Sequence, residues 1–428
     1  MLSINWKLIA KLIKNFQNHE IYRQGSVLFL ATGIGNVFNM LYHIVMVRKL
    51  PPEEYGVLNT LFACILFFAL PTGNIQITLT KFIARYHGLE SKFAIKKILK
   101  GMFIRIFILA LVIGGVTVLL APRIVIFLKL HDIKPVLYMA GVVSASLIMP
   151  LPMAGLHGLQ KFLSLGLALI STHFSKLILA IVFIYLGWGV NGALNSVTIS
   201  NLLGITIAYP VLSRSLKGLN YENENILEVN FKDIYLYILP VSLSTLTFML
   251  LTNLDVILVK HFFHPLQAGY YSIAQVIGRI ILFLPVGICM VMFPKVAYSQ
   301  ARNEDTLEHF KHSIIYISLL VIGGSLFIFS FPTLVLKIFT GKIYIQCLPL
   351  IKRFAISMGL FSLSFSFLLY YISTSHWRYI FPFLIFPPLE AVMISVWHST
   401  LTEVLDIVIF LAFLLLIVNI LIFRRVHK

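Results

Sequence analysis

Charged side chains stand inside several long apolar stretches of this 428-residue chain. Lys176 and Arg279 are basic, and His173 precedes Lys176 by three residues, on the same face of a helix. A basic residue at the bilayer centre costs about 2.5–3.5 kcal/mol on insertion scales, so it normally faces a cavity or a partner. Arginine binds phosphate oxygens through a two-pronged fork, and lysine binds them as a point charge. Lys176 and Arg279 therefore indicate contact with an anion.

Each of these residues also has a structural explanation, which stays open. Arg279 could form an ion pair with Asp255 on the neighbouring predicted helix. Lys176 could extend its ammonium toward a membrane interface. Asn39 and His43, four residues apart, could hydrogen-bond a polar cargo or satisfy adjacent helices.

The acidic residues are distributed unevenly. Residues 25–212 contain four acids, all in or next to predicted loops: Glu53, Glu54, Glu90 and Asp132. Basic residues do occur inside the apolar stretches of that half, which favours an anionic cargo. In the second half, Asp255 and Glu390 lie within apolar stretches and are candidates for binding a proton or sodium ion.

Basic residues also mark the ends of two corresponding apolar stretches. Lys81 and Lys295 end these stretches, and Arg85 lies one helical turn beyond Lys81. We expect all three at a cytoplasmic mouth, where an anionic cargo would enter. Anchoring to phospholipid headgroups is the more ordinary explanation for such residues.

Membrane-spanning helices must position these side chains. Hydrophobic residues make up 59% of the chain and charged residues 12%, whereas soluble domains carry about 25% charged residues. Apolar stretches of roughly 18 residues or more predict helices that cross the bilayer. Twelve such stretches occur, at residues 25–47, 56–80, 103–122, 135–156, 163–186, 190–212, 234–258, 270–293, 313–333, 348–372, 379–398 and 404–423.

The net charge of +18 follows the predicted loops. Segments on the side of the two termini hold 21 of the 34 Lys and Arg residues, and segments on the other side hold 10. The positive-inside rule therefore predicts a multi-pass protein of the cytoplasmic membrane with both termini in the cytoplasm. Contact with anionic membrane lipids, rather than with nucleic acid, explains the basic excess.

One pattern occurs twice, half a chain apart. The first copy is Val47-Arg48, Pro52-x-x-x-Gly56, Leu70-Pro71-x-Gly73 and Lys81, and the second is Val259-Lys260, Pro265-x-x-x-Gly269, Leu284-Pro285-x-Gly287 and Lys295. Such a repeat predicts two six-helix lobes related by a pseudo-twofold axis, with the site where they meet. We place the lobes at 25–212 and 234–428, a cytoplasmic linker at 213–233, and an amphipathic segment at 1–24 on the inner leaflet.

Enzyme motifs are absent from the sequence. It has no GxxxxGK[ST] phosphate loop, no HExxH and no Gly-x-Ser-x-Gly. Its cysteines, Cys64, Cys289 and Cys347, have no metal-binding spacing. We therefore expect a protein that is not an enzyme and that uses no cofactor and no bound metal.

Several segments resemble the Wzx-type polysaccharide-biosynthesis flippases of the MOP (multidrug/oligosaccharidyl-lipid/polysaccharide) superfamily. They lie within about residues 25–300, and the likeness fades after about residue 375. The segments are Arg48-Lys-Leu-Pro-Pro-Glu-Glu-Tyr-Gly56, Gly155–Phe162, Leu186–Ala193, Asn253–Val259, Ala268–Gln275 and Phe293-Pro-Lys295.

The resemblance implies an all-α, MATE-like fold of about twelve transmembrane helices whose two lobes open a central cleft alternately to each side. The implied cargo is an undecaprenyl-pyrophosphate-linked oligosaccharide, and glycan-polymerising enzymes are implied partners. In that case the pyrophosphate would engage Lys176 and Arg279, with Asn39, His43 and His173 near the glycan.

Two other classes stay open. One is a cation-coupled drug antiporter of the same superfamily, which typically binds its ion and cargo through buried carboxylates. The other is a membrane glycan polymerase or ligase, which generally carries a sizeable outside loop that this chain lacks.

Overall fold

The computed structural model describes residues 20–69, 71–216, 229, 231–301, 305–374 and 380–426. Within these residues all regular structure is helical, which confirms the all-α prediction. The helices are α1 (Glu20–Lys49), α2 (Pro52–Ala69), α3 (Pro71–Gly88), α4 (Lys92–Phe127), α5 (Lys134–Ile148), α6 (Pro150–Gly158), α7 (Phe162–Tyr185), α8 (Gly189–Ser215), α9 (Phe231–Leu251), α10 (Leu254–Phe262), α11 (Pro265–Phe283), α12 (Val286–Ala301), α13 (Leu307–Ser330), α14 (Pro332–Thr340), α15 (Cys347–Ser373), α16 (Ile380–Val396) and α17 (Leu401–Val426).

The described residues contain ten helical stretches that are long and apolar enough to cross a membrane. An eleventh results if α9 and α10 form one broken span, since Ser242–Leu251 and Leu254–Phe262 meet at an angle of 41°. Phe381–Val396, in α16, is a shorter apolar helix. Each of the twelve predicted stretches corresponds to one of these helical segments, so the polytopic architecture is confirmed.

Prolines begin several of the helices and explain breaks within predicted spans. Pro52, Pro71, Pro150, Pro265 and Pro332 each occupy the first position of a helix. The first turn needs no donor from that residue, and the fixed φ angle of proline suits the helix start. The predicted spans 56–80 and 135–156 are for this reason each divided between two consecutive helices.

The described residues group into two compact units. The first comprises the described parts of Met1–His43, Pro71–Thr117 and Ala140–Leu236, where α7 packs along α8 and α3 along α6. The second comprises the described parts of Ile44–Leu70, Val118–Met139 and Tyr237–Lys428, where α11 packs against α2 and α15.

The predicted lobe boundaries stay a prediction. Residues 1–19 of the predicted amphipathic segment lie outside the described residues, and so do residues 217–228 and 230 of the predicted linker.

The repeated glycines meet inside the second unit. A Cβ atom placed on Gly56 of α2 would lie 3.0 Å from the backbone of Gly269 in α11. A Cβ on Gly269 would run into the Pro52 carbonyl group. The neighbouring atoms are backbone and cannot rotate away, so α2 and α11 approach this closely only because both positions lack a side chain.

Two helix ends in the second unit are capped by residues at equivalent places in the repeat. Arg48 donates hydrogen bonds of 2.5 and 3.3 Å to two backbone oxygens in the last turn of α14. Nδ1 of His261 lies 2.6 Å from the Phe127 oxygen at the end of α4. Both contacts satisfy backbone carbonyl groups that have no hydrogen-bond partner within their own helix.

Arg48 and His261 each precede their repeat glycine by eight residues and each contact a helix end, so these two residues correspond to each other in the repeat. The sequence pattern had paired Arg48 with Lys260, one residue earlier.

The glycine contact makes a prediction about stability. Gly56→Ala and Gly269→Ala should each lower the free energy of unfolding by about 1–3 kcal/mol, because the added methyl group meets backbone. Gly73→Ala and Gly287→Ala are matched controls, since a Cβ at either repeat glycine meets nothing within 4 Å. Denaturant titration of purified protein in detergent would measure all four variants. Equal destabilisation in both pairs would contradict the contact.

Candidate functional site

Lys176 lies in the first unit, where side chains of α1 hold its ammonium group. The half-buried Lys176 of α7 donates a 2.7 Å hydrogen bond to Oδ1 of Asn39. The same ammonium lies 4.0 Å from the centroid of the Tyr42 ring, in cation–π geometry. Tyr42 is fully buried, and its hydroxyl donates a 3.0 Å hydrogen bond to the Ala193 oxygen in α8. Helices α1, α7 and α8 therefore fix the position of this charge.

Two histidines lie on the helices that hold Lys176. The His173 ring, one turn earlier on α7, packs so closely on Gly35 that a Cβ there would lie 2.7 Å from its Cδ2 atom. His173 Nδ1 is buried and, within the described residues, has no hydrogen-bond partner. His43 is half-buried beside Tyr42, with a ring-centroid distance of 5.4 Å. A buried polar atom without a partner costs about 1–3 kcal/mol, so the His173 nitrogen offers a place for a polar ligand or a water molecule.

Asp255 lies at the centre of a buried polar network in the second unit. It is 1% exposed and stands in the first turn of α10, next to the break between α9 and α10. Its carboxylate accepts hydrogen bonds from the Tyr271 hydroxyl at 2.7 Å and from Nε2 of Gln275 at 3.4 Å. Oε1 of Gln275 in turn accepts a 2.9 Å bond from Nδ2 of Asn59. A buried carboxylate needs such donors, because burial without them is very costly.

Arg279 joins this network through a neutral partner. Its guanidinium donates to Oδ1 of Asn253, the N-cap residue of α10. Within the described residues no ion pair within 4.0 Å joins Arg279 to Asp255. The direct ion pair that the sequence left open is therefore replaced by a bond to the helix cap.

Glu390 borders the same network without a visible partner. It is 1% exposed in α16, and both of its carboxyl oxygens have no hydrogen-bond partner among the described residues. The buried Tyr55 hydroxyl in α2 also has no hydrogen-bond partner in the described part of the chain. Helices α2 and α16 both pack against α10, which carries Asp255. Because an isolated buried charge is so unfavourable, the role of Glu390 as a site for a proton or a cation stays a prediction that this burial favours.

Residues 21–300 match the family model described as "Polysaccharide biosynthesis protein". The chain belongs to the polysaccharide biosynthesis protein family. An uncharacterized membrane protein of Methanocaldococcus jannaschii is 25% identical to it over 303 residues, which are 66% of this chain and 69% of the relative. The family assignment and the apolar helices make the chain a multi-pass membrane transporter.

Solved structures of MOP-superfamily transporters share its fold. One, from Pyrococcus furiosus, is described as having a binding pocket of reverse polarity that suggests a different function. It is 18% identical with a TM-score of 0.66, and the match covers 95% of this chain and 94% of that one. Another is an outward-facing multidrug-resistance MATE transporter, 17% identical with a TM-score of 0.67 and the same coverage.

The three basic residues predicted at the mouth lie on helix surfaces of this polysaccharide biosynthesis family protein. Lys81 and Arg85 are exposed on α3, and Lys295 is exposed on α12. Their role in admitting a phosphate stays a prediction. Among the described residues, no three His, Cys, Asp or Glu side chains lie close enough together to hold a metal ion.

Sequence reasoning missed the tyrosines and the glutamine of the two clusters. Tyr42 was absent from the expected site, although it stands 14 residues before Gly56, as Asp255 stands 14 residues before Gly269. Tyr271 and Gln275 were missed as partners of Asp255, although their spacing of four residues places them on one helix face. The repeat register was the signal that could have found Tyr42.

Proposed function

We propose that this polysaccharide biosynthesis family protein is a flippase for an anionic lipid-linked saccharide. A polyprenyl-pyrophosphate-linked glycan would move from the inner to the outer leaflet of the cytoplasmic membrane by alternating access, without ATP. Both termini would lie in the cytoplasm, as the distribution of basic residues predicts. Glycan-polymerising enzymes would receive the product.

The observation that carries this proposal is the setting of Lys176. It is a mid-helix base within residues 25–212, whose four acids all lie at or beyond helix ends. Its contacts with Asn39 and Tyr42 involve an amide oxygen and a ring face, both of which are uncharged. An ammonium binds a phosphate oxygen as a charged donor, and the contacts with Asn39 and Tyr42 would hold Lys176 in place for such a bond.

The polarity of mid-helix residues distinguishes functions within this fold. The Pyrococcus furiosus transporter is described as suggesting a different function because its pocket has reverse polarity. A cationic drug requires negative charge at its binding site, whereas a pyrophosphate requires positive charge. The basic character of the first half therefore supports an anionic cargo.

Arg279 is the second proposed contact for the cargo. Its guanidinium has five donors, and the bond to Asn253 uses only part of this capacity. Asn39, His43 and His173 are proposed contacts for glycan hydroxyl groups. Lys81, Arg85 and Lys295 are proposed to attract the pyrophosphate at the cytoplasmic surface.

Transport in reconstituted vesicles tests the cargo contact. Lys176→Gln should slow translocation of a fluorescent polyprenyl-pyrophosphate disaccharide by at least about tenfold, because a hydrogen bond to a charged group contributes about 1.5–3 kcal/mol. Lys176→Arg should retain most of the activity, and Arg279→Gln should also slow transport. Quenching of outer-leaflet fluorescence by dithionite gives the rate.

Lys161→Gln is the matched control, because it removes the same charge from an exposed position just before α7. It should transport at the wild-type rate. Wild-type transport by Lys176→Gln, at equal protein content per vesicle, would contradict the assignment of Lys176.

A MATE-type cation antiporter is the second candidate. The buried carboxyl groups of Asp255 and Glu390 favour it, because antiporters of the superfamily bind ions through such groups. In the flippase proposal the same two residues bind the coupling ion, a proton or sodium. Efflux of ethidium from the same vesicles distinguishes the two candidates, since the flippase should not move this cation.

The coupling role of Glu390 makes a separate prediction. Glu390→Gln keeps the size of the side chain but cannot take up an ion, so an imposed proton or sodium gradient should no longer accelerate transport. Exchange without a gradient should continue. Glu308→Gln, at an exposed acid in α13, should respond to the gradient like the wild type. An unchanged gradient response in Glu390→Gln would contradict the coupling role.

A further inference from the structure

A groove between one end of α13 and the end of α17 has no place in the transport proposal. It has a volume of about 970 Å³ and lies entirely within the second compact unit. Basic and apolar side chains from both helices line it, chiefly Leu307, Lys311, Leu421, Phe423, Arg424 and Arg425.

The rim of the groove is basic. Lys311, Arg424 and Arg425 are all exposed, and none of the described residues that line the groove is acidic. Arg424 and Arg425 end α17, where the helix dipole favours cations. Lys311 instead lies in the second turn of α13, beyond the first turn over which the helix dipole acts. Stabilisation of helix ends therefore explains two of the three charges, and a bound anion would explain all three.

The floor of the groove is apolar and rests on a packed aromatic cluster. Leu421 is 56% exposed in the floor. The Phe423 ring packs on Phe310 and Tyr370, with centroid distances of 4.9 and 5.4 Å. The Tyr370 hydroxyl is 2.8 Å from Thr306 Oγ1, at the start of α13. These contacts hold the two helix ends in a fixed shape.

The occupant that fits both features is an anionic phospholipid. Its phosphate would lie between the three basic side chains, and an acyl chain would cover Leu421 and Phe423. The groove is at the ends of two candidate membrane spans, where phospholipid headgroups are located. A second copy of the chain fits less well, because a symmetric interface here would bring identical basic residues together.

We infer that the groove between α13 and α17 is a binding site for one anionic phospholipid, which braces these two helix ends. The site is independent of the cargo proposed above. It also differs from a diffuse attraction of surface charges to the membrane, because it requires three specific bases around an apolar floor.

Native mass spectrometry of the full-length protein released from nanodiscs tests this inference. With mixed phosphatidylglycerol and phosphatidylcholine, the wild type should retain one phosphatidylglycerol in preference to phosphatidylcholine. In the triple variant Lys311→Gln/Arg424→Gln/Arg425→Gln, the ratio of retained phosphatidylglycerol to retained phosphatidylcholine should fall by at least about tenfold. The triple variant Lys92→Gln/Lys96→Gln/Lys97→Gln removes equal charge from exposed positions in α4 and should retain the lipid.

A second variant keeps the test decisive if the triple variant fails to fold. Leu421→Gln leaves every charge in place but makes the floor polar, so phosphatidylglycerol retention should fall. Equal retention of the two lipids by the wild type would overturn the inference. Equal losses of phosphatidylglycerol in the two triple variants, or unchanged phosphatidylglycerol retention in Leu421→Gln, would also overturn it. The same holds if the wild type has the mass of a dimer and only the Lys311→Gln/Arg424→Gln/Arg425→Gln variant is a monomer, because the groove would then be an interface between two copies of the chain.

Discussion

The close approach of α2 and α11 at Gly56 and Gly269 is the contact on which the second unit depends. Each glycine lets the backbone of the other half approach without a side chain between them. Asn59 is three residues beyond Gly56 and reaches Gln275, six residues beyond Gly269, across the same helix pair. Because this hydrogen bond measures 2.9 Å, a methyl group at either glycine would separate the two amides. The donors around Asp255 thus depend on a backbone contact several residues away.

The two halves share the spacing of the repeat but carry different side chains at equivalent positions. At equivalent positions the first half has Tyr42, against which Lys176 lies, and the second half has Asp255, whose helix α10 packs against α16, the helix of Glu390. The cluster around Lys176 therefore contains a base and no carboxyl group among its described contacts, whereas the second unit has two buried carboxyl groups, Asp255 and Glu390, beside Arg279. A cargo anion and a coupling cation require opposite charges, so this difference between the halves matches a transporter that binds both.

The apolar stretches and the repeat were enough to predict the helical, membrane-spanning fold, because both depend on the periodic placement of apolar residues and glycines. Bonding partners were harder to predict. From the sequence, Asp255 and Asn253 are both possible hydrogen-bond partners of Arg279. The break between α9 and α10 places Asn253 at the N-cap of α10, where its side chain accepts the bond. The repeat pattern likewise aligned Arg48 with Lys260, whereas the residue that contacts a helix end at the same distance from the repeat glycine is His261.

Binding polarity tests the central claim most directly. Purified protein in nanodiscs would be titrated with a polyprenyl-pyrophosphate saccharide and, separately, with ethidium, while binding is followed by thermophoresis. The account predicts saturable binding of the anionic lipid, a loss of that binding in Lys176→Gln, and no saturable binding of ethidium. Saturable ethidium binding that competes with the pyrophosphate lipid and is unaffected by Lys176→Gln would contradict it.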